Sequence, residues 1–320
     1  MLENFRIPLG DWADLALDWF KDVFGWLLDI INVVTGFLVE GLAEALVATP
    51  TLVLIAVLAL IGWIIRSWQL AVGTVVTMLL VVGMNQWENA MLTLALVLIA
   101  TVIAIVIAVP LGILAARNDT FSAIVKPVLD FMQTMPAFVY LIPAVTFFSV
   151  GFVPGVFATI LFSLPPGVRM TELGIRGVDS ETVEAGQAFG AAPGQVLRGI
   201  QLPLATPTIM AGINQVIMLA LSMAVVAGMA GANGLGKEVV AAISTLNIPL
   251  GVEAGLSVVV LAVFLDRVTA ALGNPAEYRG SLLGTLSRRQ TAVRDARADA
   301  EAAAAAAELS EAKGPRRAGF

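Results

Sequence analysis

The run MLTLALVLIATVIAIVIAVPLGILAA, residues 91–116, carries no charged side chain from end to end. About 20 apolar residues in a helix cross the hydrocarbon core of a bilayer, so this run reads as a membrane span with residues to spare. TLVLIAVLALIGWII at 51–65 repeats the signal. Composition agrees: 58% of the chain is hydrophobic and 13% charged, against roughly half and a quarter in soluble domains. The fold class that follows is an all-α polytopic membrane protein.

Neither Cys nor His occurs in the sequence. Disulfides, thiol nucleophiles, His metal sites and His general bases are excluded together. Carboxylates are present, but no cluster has metal-ligand spacing, so no metal or cofactor is expected on this chain. The net charge of −6 says little, because the placement of charge governs a membrane protein more than its sum. The opening stretch MLENFRIPLGDWADLALDWF has neither the basic start nor the apolar core of a signal peptide.

Residues 11–44 read as a helix but not as a span. Asp11, Asp14, Asp18, Asp22, Asp29, Asn32, Glu40 and Glu44 fall on one stripe, opposite Leu15, Trp19, Val23, Trp26 and Ile30. Such a helix lies in the membrane interface with its Trp residues at headgroup depth, packs on the protein's own spans, or does both. About seven spans follow, near 48–66, 69–86, 89–116, 124–150, 153–171, 204–231 and 250–270.

Lys and Arg bias sets the orientation. With segment 172–203 inside, Arg66, Arg117, Lys126, Arg169, Arg176, Arg198, Arg267 and the Arg-rich tail are all cytoplasmic. Only Arg6, Lys21 and Lys237 remain outside. The N-terminus is then external and the C-terminus cytoplasmic. The organisation expected is an amphipathic helix at 1–45, two spans at 46–87, a core at 88–272 with a cytoplasmic segment at 179–203, and a tail at 273–320. That tail is Ala-rich and charged and cannot bury a core, so it reads as a solvated helix fading into disorder.

GANGLGKE at 231–238 has the glycines and Gly-Lys of a nucleotide-binding P-loop. Glu238 stands where Ser or Thr would hold Mg²⁺, no strand precedes it, and the topology puts it outside. It reads as a tight glycine turn. The chain therefore has no machinery of its own for hydrolysing a nucleotide.

VEAGQAFGAAPGQVLRGIQLP at 183–203 is too long for a simple connector. Asp179 or Ser180 caps a helix beginning at Glu181, with Glu181 and Glu184 near its positive end. Gly190 stops it in a left-handed conformation. Pro193 suits the first turn of a second short helix, which Pro203 closes where the next span begins. Ala185, Gly186 and Ala188 are small, Phe189 is one large apolar knob, and Glu184 adds a charge. That is the make-up of a helix that docks into a groove.

Glu184-Ala185, then Gly190, nine residues, and Ile200-x-Leu202-Pro203 resemble the "EAA" signature of ATP-binding-cassette (ABC) importer permeases, with Gly186 departing from the signature's second Ala. The stretches 129–148, 164–175, 201–229 and 234–239, with the acidic N-terminal helix, resemble the glycine betaine/proline betaine subfamily. The likeness covers most of residues 5–272 and fades in the tail. It implies an ABC type-1 transmembrane fold in a bacterial inner membrane and a coupling helix at Glu184, Ala185, Gly186, Phe189, Gly190, Ile200, Leu202 and Pro203. It also implies a pair of cytoplasmic ATPase subunits that carry the ATP and Mg²⁺, a second permease copy, and a separate external substrate-binding protein. No nucleic-acid partner is implied.

Asn214 and Gln215, with Met218, Ser222 and Met223 further along, are polar or polarisable groups deep in the sixth span. They line a path, or they bond to neighbouring helices. Gln133, Thr134, Met135, Phe138 and Tyr140 are the fourth span's candidates, with Pro136 and Pro143 breaking its regularity. Met and aromatic groups suit a methylated ammonium and equally suit plain packing. Choline, carnitine or another small amine is the alternative cargo. An ion-coupled secondary transporter fits less well: the spans lack a His or a central carboxylate relay, and the membrane potential does no net work on a zwitterion such as betaine.

Overall fold

The computed structural model describes residues 8–273 and Ser281. Among these residues every regular element is helical. In chain order they are α1 (Leu9–Ala48), α2 (Thr51–Ile65), α3 (Trp68–Gly83), α4 (Trp87–Arg117), α5 (Asp119–Thr134), α6 (Leu141–Phe148) and α7 (Phe152–Arg176). Then come α8 (Ser180–Ala188), α9 (Pro193–Val196), α10 (Leu202–Ala227), α11 (Leu235–Thr245) and α12 (Ile248–Gly273). The tail expected at 273–320 lies, but for Gly273 and Ser281, outside the described residues.

Helix α7 is the spine, held between α4 and α10. Small residues set its distance from both. A Cβ on Gly112 of α4 would lie 2.5 Å from the Cβ of Thr171 and 2.7 Å from the carbonyl oxygen of Val168. A Cβ on Gly167 would meet Ala108 at 2.8 Å and Val216 at 3.0 Å, and one on Gly212 of α10 would meet Met170 at 2.5 Å. Between helices in lipid, attraction comes from such close backbone packing rather than from expelled water. The same device fixes α11. A Cβ on Gly228 would fall 2.3 Å from the backbone of Gly236, so the glycines of 228–236 are a close-packed turn between α10 and α11. Gly231 and Gly234 there have φ of +82° and +124°, which agrees with the expected glycine turn.

Five helices are long and apolar enough to cross a membrane by length and composition, or six if a bent pair counts as one span. The expected seven is therefore approximate: three of the expected spans do not pass as single helices, whereas α1, not expected as a span, does. Helices α2 and α3 have 15 and 16 residues, about 22–24 Å at 1.5 Å per residue, short of a roughly 30 Å hydrocarbon core. The turn between them is tied to the last span, the Arg66 guanidinium beyond α2 donating to the carbonyl of Arg267 near the end of α12 at 3.4 Å. The span expected at 124–150 is broken by 109° between α5 and the 3-10 turn that begins at Ala137. Met135 is extended there (ψ 132°), as a residue before proline must be. Pro143, by contrast, sits in the first turn of α6 and breaks nothing.

Helix α1, 40 residues long, passes the length and composition criterion, and it packs on α4, α6 and α7. Phe20 packs on Phe147 at 5.4 Å between ring centres, Leu28 joins Phe148 and Val153, and Gly36 faces Val153. Further on, Glu40, Ala43, Glu44 and Val47 line a cavity of about 660 Å³ with Glu88, Phe152 and Asn233. The Trp stripe stays outward, with Trp19 62% and Trp26 65% exposed. The helix thus packs on its own spans with one face and offers its aromatic face to the surroundings.

The spine yields a direct check. Gly112→Ala forces α4 and α7 apart at a backbone carbonyl and should cost about 1–3 kcal/mol, read as a lower unfolding temperature in detergent. Gly73→Ala in α3, where a Cβ meets nothing within 4 Å, should leave that temperature unchanged or raise it.

Candidate functional site

The segment after α7 folds as its local chemistry dictates. Asp179 caps α8, accepting from the Thr182 amide at 3.1 Å and its hydroxyl at 2.9 Å. These bonds, the hydroxyl's first, hold the Asp179 carboxyl below its ordinary range. The cap is accordingly complete at and above the usual Asp range and is lost only as pH falls through the depressed value. Gly190 has φ +83°. Its amide donates to the carbonyl of Gln187 at 2.8 Å, and the Ala191 amide donates to that of Gly186 at 3.1 Å. The paired bonds close the helix as a left-handed glycine C-cap. Pro193 opens α9, and the Gln195 side chain accepts from the Ala192 amide at 2.8 Å.

One local expectation fails. Pro203 does not close the second helix. Residues Leu197–Gln201 form a π-turn in which the Leu202 amide bonds back to Leu197, and the helix continues into α10. A proline ring clashes with the carbonyl four residues earlier. The wider turn moves the chain aside, so Pro203 sits within a continuous helical run.

The element is rooted at one side and bare at the other. Leu197 is buried with Ile175 and Ala205, packed by Ile113, Ala116 and Leu202, which fixes the π-turn to the ends of α4, α7 and α10. Helix α8 itself has no buried residue, and Phe189 is 94% exposed. Glu184 and Ala185 are exposed and Ile200 is half-buried. A cleft of about 480 Å³ lies behind α8, lined by Leu173, Gly177, Val178, Thr182, Leu204 and Thr208 among others. Gly186 is where Ile200 lands, since a Cβ there would lie 2.5 Å from the Ile200 Cδ1. The departure at Gly186 thus has a packing partner in this same chain.

The path candidates separate into two groups. Tyr140 and Met223 are buried in one cluster with Met135 packed against it, and the Tyr140 hydroxyl donates to the Met132 carbonyl. They brace the broken span on α10. Asn214 donates to the Asp266 carboxylate of α12 at 3.0 Å and lines a cavity of about 250 Å³ with Met210 and Thr269. For Asn214 the structure therefore favours an interhelical bond. Gln133, Thr134 and Phe138 are exposed, as are Gln215, Met218 and Ser222 on one face of α10. Among the described residues no three His, Cys, Asp or Glu side chains gather to hold a metal ion.

The sequence reading also missed a buried carboxylate. Glu172 is 5% exposed, and its Oε1 accepts from Ser122 at 2.7 Å and lies 3.2 Å from Lys126 and 2.9 Å from Arg176. Only its place near a span end was legible, since Ser122 and Lys126 lie some fifty residues away in sequence.

A helical bundle with a spine, a broken span and an exposed helix–turn–helix at one end is the architecture of an ABC importer permease. An inward-facing structure of the MetNI methionine ABC transporter shares this fold, with a TM-score of 0.56 and 19% identity over 59% of this chain and 95% of that one. Residues 108–274 match the family described as binding-protein-dependent transport system inner membrane component, and the chain belongs to that family. It is 47% identical over 277 residues to the glycine betaine transport system permease protein OpuAB of Bacillus subtilis, covering 86% of this chain and 98% of that one. It is 45% identical over 275 residues to the glycine betaine/proline betaine transport system permease protein ProW of Escherichia coli, covering 86% and 78%. A third relative, the glycine betaine/carnitine transport permease protein GbuB of Listeria monocytogenes, is 46% identical over 274 residues, covering 85% and 97%.

The two glycines of this helix–turn–helix should respond differently. Gly190→Ala places a side chain in a left-handed position, worth about 1–2 kcal/mol, and should speed proteolysis between α8 and α9. Gly186→Ala displaces only the mobile end of Ile200 and gains roughly 1 kcal/mol of helix propensity, so cleavage there should stay at the wild-type rate or slow.

Proposed function

We propose that this chain is the permease subunit of an ATP-driven importer for glycine betaine, proline betaine or a close quaternary ammonium compound. Family membership and the glycine betaine and proline betaine permeases among its relatives support the cargo class. The observation that carries the mechanism is α8, capped at both ends, free of buried residues, and tipped by an exposed Phe189. A preformed helix with a bare small-residue face is suited to seating in a groove of a partner ATPase. The chain has no nucleotide site in this reading. ATP and Mg²⁺ belong to the ATPase pair, and hydrolysis there moves α8 and the helices rooted beside it.

The exposed face of α10 at Gln215, Met218 and Ser222, with Gln133, Thr134 and Phe138 of the broken span, faces a second copy of this chain and shares the path with it. Tight recognition belongs to a separate external binding protein, and the permease holds its cargo weakly. The docking end is cytoplasmic by its Lys and Arg content. The N-terminal helix lies on the outer face of the bacterial inner membrane.

Co-purification and reconstitution test this reading. Gly190→Asp should reach normal abundance yet lose its ATPase, because an unpaired charge in a docking groove costs about 3–5 kcal/mol; Glu184→Lys should weaken the association less. The assembled wild type should take up labelled glycine betaine only with ATP and the binding protein present. Uptake on an ion gradient without the ATPase, or an unimpaired Gly190→Asp complex, would overturn it.

A further inference from the structure

Helix α5 has only two buried residues, Ser122 and Leu129, so apolar packing alone does not explain its place. A ladder of charges on α7 does. Asp119, Ser122, Lys126 and Asp130 follow one another on one face of α5, and Arg176, Glu172 and Arg169 face them from α7. Arg176 pairs with Asp119 at 2.7 Å. Glu172 takes Ser122 and Lys126, and Arg169 pairs with Asp130. The signs alternate along both helices, so a slip by one rung sets like charges against each other. Arg176 also donates to the carbonyl of Ala115 at 2.8 Å, which ties α4 into the lowest rung.

We propose that this ladder, centred on Glu172, is the positioning element that makes α5 follow α7 when the docking helix moves. The idea rests on the importer reading above and goes beyond it in naming how motion leaves α8. Below the ladder, α7 ends at Arg176 and the chain passes through Gly177 and Val178 to the Asp179 cap. Above it, α5 ends at Thr134, at the 109° break that carries Gln133, Thr134 and Phe138. Of the charged groups in this cluster only Glu172 is buried, Lys126 and Arg176 being 54% and 38% accessible. The pairs are a poor source of stability but a source of geometry, because removing a cation leaves the buried carboxylate short of a partner. Both outer rungs reach the surface, with Asp119 90% and Arg176 38% accessible at one end and Asp130 64% and Arg169 36% at the other, and add little stability by themselves. Their value is register. A pull on the end of α7 is thereby delivered to the break in the fourth span.

The measurement is transport per ATP hydrolysed, in liposomes holding the chain with its ATPase and binding protein. Glu172→Gln keeps the shape and the bond from Ser122 but loses the charge. It should hold its ATPase and hydrolyse ATP near the wild-type rate while transport per ATP falls at least ~10-fold, within the usual range of coupling between sites. Glu172→Asp should recover part of the loss. The exposed rung gives an independent check that does not disturb the buried site. Asp130→Arg should lower transport per ATP, and adding Arg169→Asp should restore it. Unchanged transport per ATP in both Glu172→Gln and Asp130→Arg sinks the ladder, as does a fall that merely tracks the amount of complex. A wild-type chain that holds no ATPase sinks the importer reading instead, and the ladder with it.

Discussion

Where α7 crosses α4 and α10 there is no room for a single added methyl group at Gly112, Gly167 or Gly212. That contact fixes the rest of the molecule. In lipid, apolar side chains gain nothing by leaving their surroundings for one another, so helices associate where backbones approach closely. The spine meets this condition along most of its length. The other elements are arranged on it: α1 packs against it through buried residues such as Leu28 and Val39, and α8 projects with no buried residue of its own.

The local chemistry of the docking element was legible in the sequence because each of its parts has a near neighbour as partner. Asp179 finds Thr182 three residues on, and Gly190 closes against Gln187. Long apolar runs were legible for the same reason, since a helix is written in its own residues. What depended on distant partners was not. Asn214 had two readings until Asp266 of α12 appeared opposite it, and Glu172 gave no sign of burial until α5 was laid beside α7. Pro203 misled because a proline's ordinary effect is to end a helix, and a five-residue π-turn absorbs the clash instead. Gly186 looked like a blemish in a motif, yet it is the space that Ile200 fills.

In the proposed reading these placements divide the labour. There the spine carries load, the π-turn roots the docking element in the spine, and the cleft behind α8 leaves that helix room to rock. Tyr140 and Met223 belong to the frame, because both are buried in the same apolar cluster. The exposed polar and Met side chains of α10 and of the broken span are the ones free to meet a cargo or a second copy. In the same proposed reading, substrate contact and energy input lie at different levels of one column, and α7 is the element common to both.

Site-specific photocrosslinking tests the docking role of α8 most directly. The chain has no Cys, so Phe189→Cys carrying a benzophenone puts one reactive group at the tip of the docking element. Leu246→Cys, 86% exposed at the α11–α12 turn, is the control at the other end of the bundle. Illumination of the assembled complex should join position 189, and not 246, to the ATPase. An ATPase that stays bound yet forms no adduct at 189, or forms it equally at 246, would contradict a docking role for α8.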